Sequence, residues 1–277
     1  MLRIKSVIII WLLMLNLISC SSIKLSGKWL TKETDHLFIY YKPDSCASKE
    51  IDSAVEIYEN AFKVAVKELR LNLTKYESTK DNKIKCYLHD KLGNFGQTDR
   101  KTRSVHYLYS EESKLISAHE IMHLLLYDIN PDAHLGLEEG VCRFYEARGM
   151  ERKEKGVTKE EISCPLYRLA KFESPKRWNL SNVFYTPMFG GVSEGNGNIA
   201  AAFVSFLTNK LGKEYFFLSL YPKLGHNWEE VLTTELHMSL DEINLEFQKY
   251  GKTLENPPPP FSMMMGKDIP VEWEKIQ

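Results

Sequence analysis

The chain has 277 residues, a net charge of −1 and a hydrophobic fraction of 43%. That length suits one domain of ordinary size or two closely packed lobes, and the apolar content suffices for a real core. The near-zero charge offers no global attraction to nucleic acid, and no repeat of solenoid or propeller period runs through the sequence.

The first stretch is a separate object. "MLRIK" (1–5) is a short basic start, "VIIIWLLMLNLI" (7–18) is an apolar run, and Ser19 and Cys20 follow. A basic start, a short apolar run and a small residue at its end read as a secretory signal, and the run is too short for a comfortable transmembrane helix. Leu17-Ile18-Ser19-Cys20 resembles a bacterial lipobox. The resemblance implies a signal peptide over 1–19, lipid on Cys20 and an extracytoplasmic, membrane-anchored lipoprotein. An uncleaved anchor or a plain signal cut slightly later are the alternatives. Cys46, Cys86, Cys142 and Cys164 then remain. Their spacing fits no zinc ribbon or CxxC motif, and outside the cytoplasm it allows one or two disulfides or isolated buried thiols.

Residues 20–35 are polar and are expected to be a lipidated tether, with the folded domain over 36–255. "HLFIYY" (36–41) reads as a strand. Over 48–71, Ile51, Val55, Tyr58, Phe62, Val66 and Leu69 recur at helical spacing and predict one long amphipathic helix. "KIKCYLHD" (83–90) predicts a strand, "KLGNFGQTD" a glycine-bearing loop, and "SVHYLY" (104–109) a third strand, expected at the sheet edge above the site. A strongly apolar helix follows over 113–127, broken by "DINPDAH". Another helix starts near Leu137 or Glu138 and stops at Gly149. Residues 150–198 look irregular, and the run "ERKEK" reads as a solvated face. Helices resume with "NIAAAFVSFLTNKLG", "KEYFFLSLY" and "NWEEVLTTEL". "SLDEINLEFQKYG" (239–251) follows and opens with the capping pattern Ser239-x-x-Glu242. "NPPPPF" ends the domain and leaves a Pro-rich tail over 256–277. Strands and helices first, helices later, is α+β.

The chemistry lies in "SKLISAHEIMHLLLY" (113–127). Residues four apart share a helix face, so His119 and His123 can turn their rings to one ion. Zinc accepts imidazole nitrogen, and a catalytic site keeps a position for water. Glu120 lies beside the first histidine and can act on that water as general base. Both histidines could instead be ordinary residues, but two imidazoles and a carboxylate on an apolar helix are costly to bury without partners. A third ligand is expected in "HLGLEEGVCRFYEARG". Glu138 and Glu139 are the rivals, and both cannot face one ion because one helical step turns a side chain by about 100°.

His119-Glu120-x-x-His123 followed by Leu137-Glu138-Glu139-Gly140 resembles the gluzincin metallopeptidases, which carry HExxH and then a W-L-x-E-G-x-A-x-Y-x-E helix. It is similar above all to the small peptidase-MA-like domains, distant relatives of the M1 aminopeptidases. The resemblance implies a zincin-like fold: a small mixed sheet on the HExxH helix, followed by a helical C-terminal lobe. It also implies one zinc ion per chain, Glu139 as third ligand, and Glu146 as a partner of a zinc-bound histidine. Gly136 stands where the family has tryptophan, Cys142 where it has alanine and Phe144 where it has tyrosine, and the step from His123 to Glu139 is shorter. The expected function is a zinc metallopeptidase acting on peptide or protein. Tyr185 or His226 is the candidate donor to the oxyanion. No Gly-x-Met-Glu-Asn-type motif for reading a free amino terminus precedes the zinc helix, which favours an endopeptidase. The alternative is a surface lipoprotein that keeps the zinc site and binds without cutting.

Overall fold

The computed structural model describes residues 25, 27–72, 82–92, 96–111, 118–146, 177–184 and 194–253. Five strands form one mixed sheet: β1 (Leu30–Glu33), β2 (Leu37–Tyr41), β3 (Ile84–His89), β4 (Gly96–Asp99) and β5 (Ser104–Leu108), in the order β1-β2-β3-β5-β4. The central pairs β2/β3 and β3/β5 are parallel, and the flanking pairs β1/β2 and β5/β4 are antiparallel. The sheet thus begins inside the stretch expected to be tether. The parallel step from β2 to β3 needs a crossover, and it contains helix α1 (Cys46–Lys49) and helix α2 (Ile51–Glu68).

Strand alternation sends Leu37, Ile39, Ile84, Cys86, Leu88, Val105 and Tyr107 to one face, where all are buried. The buried stripe Ala54, Tyr58, Ala61, Phe62, Ala65 and Val66 of α2 belongs to the same core, with Tyr58 stacked on Tyr107 at 4.9 Å between ring centres. Helix α3 (His119–Ile129) packs against α2, β4 and β5, and helix α4 (Leu135–Glu146) lies on α3.

The C-terminal part is helical. It comprises α5 (Leu180–Phe184), α6 (Glu194–Leu211), α7 (Lys213–Tyr215), α8 (Trp228–Leu236) and α9 (Leu240–Thr253). Its core is aromatic: Phe184 stacks on Trp228 at 3.8 Å, and Phe203 meets Phe247 edge-on at 5.1 Å. The contact between α4 and α6 is close, because a Cβ on Gly140 would stand 2.6 Å from the backbone carbon of Ala200. The capping box forms as its sequence predicts: Glu242 N donates to Ser239 Oγ at 3.3 Å, and Ser239 N to Glu242 Oε2 at 2.8 Å.

The segment "KEYFFLSLY" is not one helix. After α7 it widens into a π-helical turn, Phe216–Leu220, and tightens into a 3-10 turn, Tyr221–Lys223. Pro222 explains the break, since its ring cannot sit under the carbonyl four residues back. Cys46, Cys86 and Cys142 are buried, and no disulfide joins these three. No helix among the described residues is long and apolar enough to cross a membrane. Cys20, Cys164, Tyr185 and the 256–277 tail lie outside the described residues, as does the side chain of Glu146.

Candidate metal centre

Helix α3 begins at His119, so its first five residues carry His119, Glu120 and, one turn on, His123. The two imidazoles point the same way, with Nε2 atoms 3.1 Å apart. From α4, Glu139 Oε2 reaches to 3.5 Å from His119 Nε2 and 3.4 Å from His123 Nε2. Three donors of a tetrahedral ion with bonds of about 2.0–2.1 Å would stand about 3.3 Å apart. The observed triangle has that size, so these residues fit one zinc ion. The thiol of Cys142 lies close by: the ligand-type atoms of His119, His123 and Cys142 are all within 4.8 Å of one another.

Electrostatics favour an anionic Glu139. Burial alone would raise its carboxyl, but hydrogen bonds and charge from His119 and His123 hold it well below the usual carboxylate range. Arg143 Nε also donates to Glu139 Oε1 at 2.7 Å, which orients the second oxygen toward the histidines.

Glu138 faces elsewhere. Its Oε1 sits 2.6 Å from His123 Nδ1 and pairs with the Arg100 guanidinium, and the residue is 1% exposed. A carboxylate on Nδ1 fixes the tautomer that frees Nε2 for a metal. Sequence reasoning gave such a part to Glu146 and treated Glu138 only as a rival ligand. The signal was present in two adjacent acids, but which one reaches Nδ1 depends on how α4 lies against α3.

The β4–β5 hairpin covers this centre. Thr98 Oγ1 donates to Glu120 Oε2 at 2.6 Å and sits 3.0 Å from the Glu120 carbonyl oxygen. Gly96 leaves room for the same carboxylate, since a Cβ there would lie 2.6 Å from Glu120 Oε1. The hairpin turn supplies Arg100 to Glu138, and Arg103 closes a two-pronged bridge to Asp128 at 2.8 Å on each arm. Arg103 has a positive φ of 52°. The strand over α3 is therefore β4, read from sequence as a loop, while β5 is paired on both sides and is not an edge.

His226 is exposed before α8, next to His134 electrostatically, and is not gathered with His119, His123 and Glu139. Tyr221 was not singled out by sequence. It is fully buried, its Oη has no partner among the described residues, and its carbonyl oxygen accepts from Asn130 Nδ2 at 2.9 Å. Scans against protein-family models and against curated proteins find no match to this chain.

Proposed function

We propose that the protein is a zinc-dependent metallopeptidase of the gluzincin kind that hydrolyses peptide bonds, held at a membrane by lipid on Cys20. The observation that carries this is the convergence of His119 Nε2, His123 Nε2 and Glu139 Oε2 at zinc-ligand spacing, with Glu120 beside the first histidine. Bound zinc would lower the pKa of a water molecule and polarise a carbonyl.

Glu120 serves as general base: it accepts the water's proton and returns it to the leaving nitrogen. Thr98 orients its carboxylate through one oxygen. Its other oxygen lies against Gly96. Glu138 and Arg100 hold His123 in place from behind. Among the described strands β4 has one neighbour, β5, so its other edge offers backbone groups to an extended peptide. The only carboxylate on β4, Asp99, is spent on the turn amides of Lys101 and Thr102, at 2.9 and 3.3 Å. It is therefore poorly placed to read a free amino terminus, which favours internal cleavage.

The test is hydrolysis of a mixed peptide library by purified protein, with and without a chelator, on free and N-acetylated peptides. Cleavage of both sets that stops on chelation supports the reading. Cleavage of the free set alone points to an aminopeptidase. No cleavage by protein carrying about one zinc ion points to a binding lipoprotein. Incorporation of a labelled fatty acid, lost in Cys20→Ala, tests the anchor.

A further inference from the structure

We infer that Cys142 is a fourth ligand that closes this metal centre in its resting state, so that its thiolate and the attacking water compete for one position. The inference rests on the metal centre proposed above and concerns how that centre is controlled.

Cys142 follows Glu139 by three residues and Glu138 by four on α4, so it shares their side of the helix. It is fully buried, and its Sγ belongs to the cluster within 4.8 Å that contains the ring nitrogens of His119 and His123. Bound to one tetrahedral ion, with bonds of about 2.1 Å to nitrogen and about 2.3 Å to sulfur, N and S donors stand about 3.6 Å apart. A turn about the Cys142 Cα–Cβ bond covers differences of that size. The helix itself cannot retreat, because Gly140 is pressed onto the Ala200 backbone.

Charge argues in the same direction. Three carboxylates surround the histidines: Glu120, Glu138 and Glu139. Two guanidiniums accompany them, Arg100 on Glu138 and Arg143 on Glu139. The set carries one negative charge, so a divalent ion leaves one positive charge in a largely buried place. A neutral water does not cancel it, whereas a thiolate does, and uncompensated buried charge is costly. Sulfur is also a preferred donor to zinc. On metal binding the S–H bond breaks, the proton leaves to solvent and a sulfur–metal bond forms, with no redox change.

Four protein ligands close a zinc site, whereas three leave it open. With Sγ bound, Glu120 has no activated water to act on. Activity then begins when Sγ rotates away.

The test loads the purified full chain with cobalt(II) in place of zinc and compares it with Cys142→Ser and Cys142→Ala. The expected result is a thiolate-to-cobalt charge-transfer band in the near ultraviolet for the wild type, absent from both variants, while all three bind one cobalt ion. The zinc form should show one sulfur neighbour at about 2.3 Å by X-ray absorption, lost in the variants. Peptide hydrolysis by Cys142→Ala should rise several-fold. Cobalt uptake by all three proteins without a band in the wild type overturns the role of Cys142 and leaves the three-ligand centre standing. Failure of the wild type to bind cobalt overturns both. If Cys142→Ser does not fold, the presence or absence of the band in the wild type still decides.

Discussion

A helix turns about 100° per residue, so Glu138 and Glu139 leave α4 in different directions. One carboxylate reaches both Nε2 atoms and the other reaches Nδ1 of His123. Their substitutions should therefore differ in degree. Glu139→Ala, like His119→Ala or His123→Ala, should weaken zinc binding by more than about a thousandfold in a competition titration, since a direct ligand is lost. Glu138→Gln should retain the ion with affinity weakened about 10–100-fold, the usual scale for an outer partner of a ligating histidine. Equal loss in both would mean that the two acids do not divide the work in this way. Gly96 is the other informative residue. A methyl group there must displace the Glu120 carboxylate, 2.6 Å from where it would stand. Gly96→Ala should bind zinc as the wild type does and lose hydrolysis by about tenfold or more, read as a fall in kcat/KM at unchanged metal content. The pair His119/His123 was legible from sequence because its spacing is local to one helix. The choice between Glu138 and Glu139 came from family resemblance, since spacing alone does not say how α4 rotates against α3.

At the level of elements, the hairpin β4–β5 joins what the sequence keeps apart: Thr98 holds Glu120, Arg100 holds Glu138 and Arg103 holds Asp128. Strand β4 was not legible because Gly93, Asn94, Gly96 and Asp99 are turn-forming residue types. Pairing with β5 overrides that propensity. β1 was missed for a related reason: its LTKE sequence is half-buried at Leu30 and exposed at the next three residues, which resembles a tether. The helices were easier, because a buried stripe such as that of α2 repeats every turn. Between α4 and α6, Gly140→Ala should cost about 1–3 kcal/mol, an overpacking penalty visible as a lower Tm. An unchanged Tm would show that the two helices separate freely.

The outer sheet face carries a pH-sensitive element. His106 stacks on Tyr87 and meets His89 at 3.0 Å and Ser104 at 3.3 Å. Burial first, and then the neighbouring His89, push its pKa down to about 4, with Asp99 opposing. The unfolded chain takes up that proton near pH 6.5, well before the folded one. The contribution to stability is thus complete above about pH 6.5 and is lost as pH falls toward 4. His106→Gln should flatten the fall in Tm across that window. A variant as acid-sensitive as the wild type would assign the effect to other groups.

Across the whole molecule, a mixed sheet and its helices present His119, Glu120 and His123, while the second helical layer, through α6, fixes α4 and with it Glu139. Both layers are therefore needed for one centre. Over 216–223 the helix breaks, and the Tyr221 side chain is buried there. Sequence indicated the class α+β and the order of most elements. It did not indicate that break, because aromatic residues at helical spacing conceal what Pro222 does to the turn before it. The most direct test of the central claim compares wild type and Glu120→Gln, at matched zinc content, in hydrolysis of the peptide library. Glutamine keeps the size and the hydrogen bond to Thr98 but cannot accept the water's proton. The expected result is a loss of at least about a hundredfold with metal binding and folding intact. Equal cleavage by the two proteins would contradict the account.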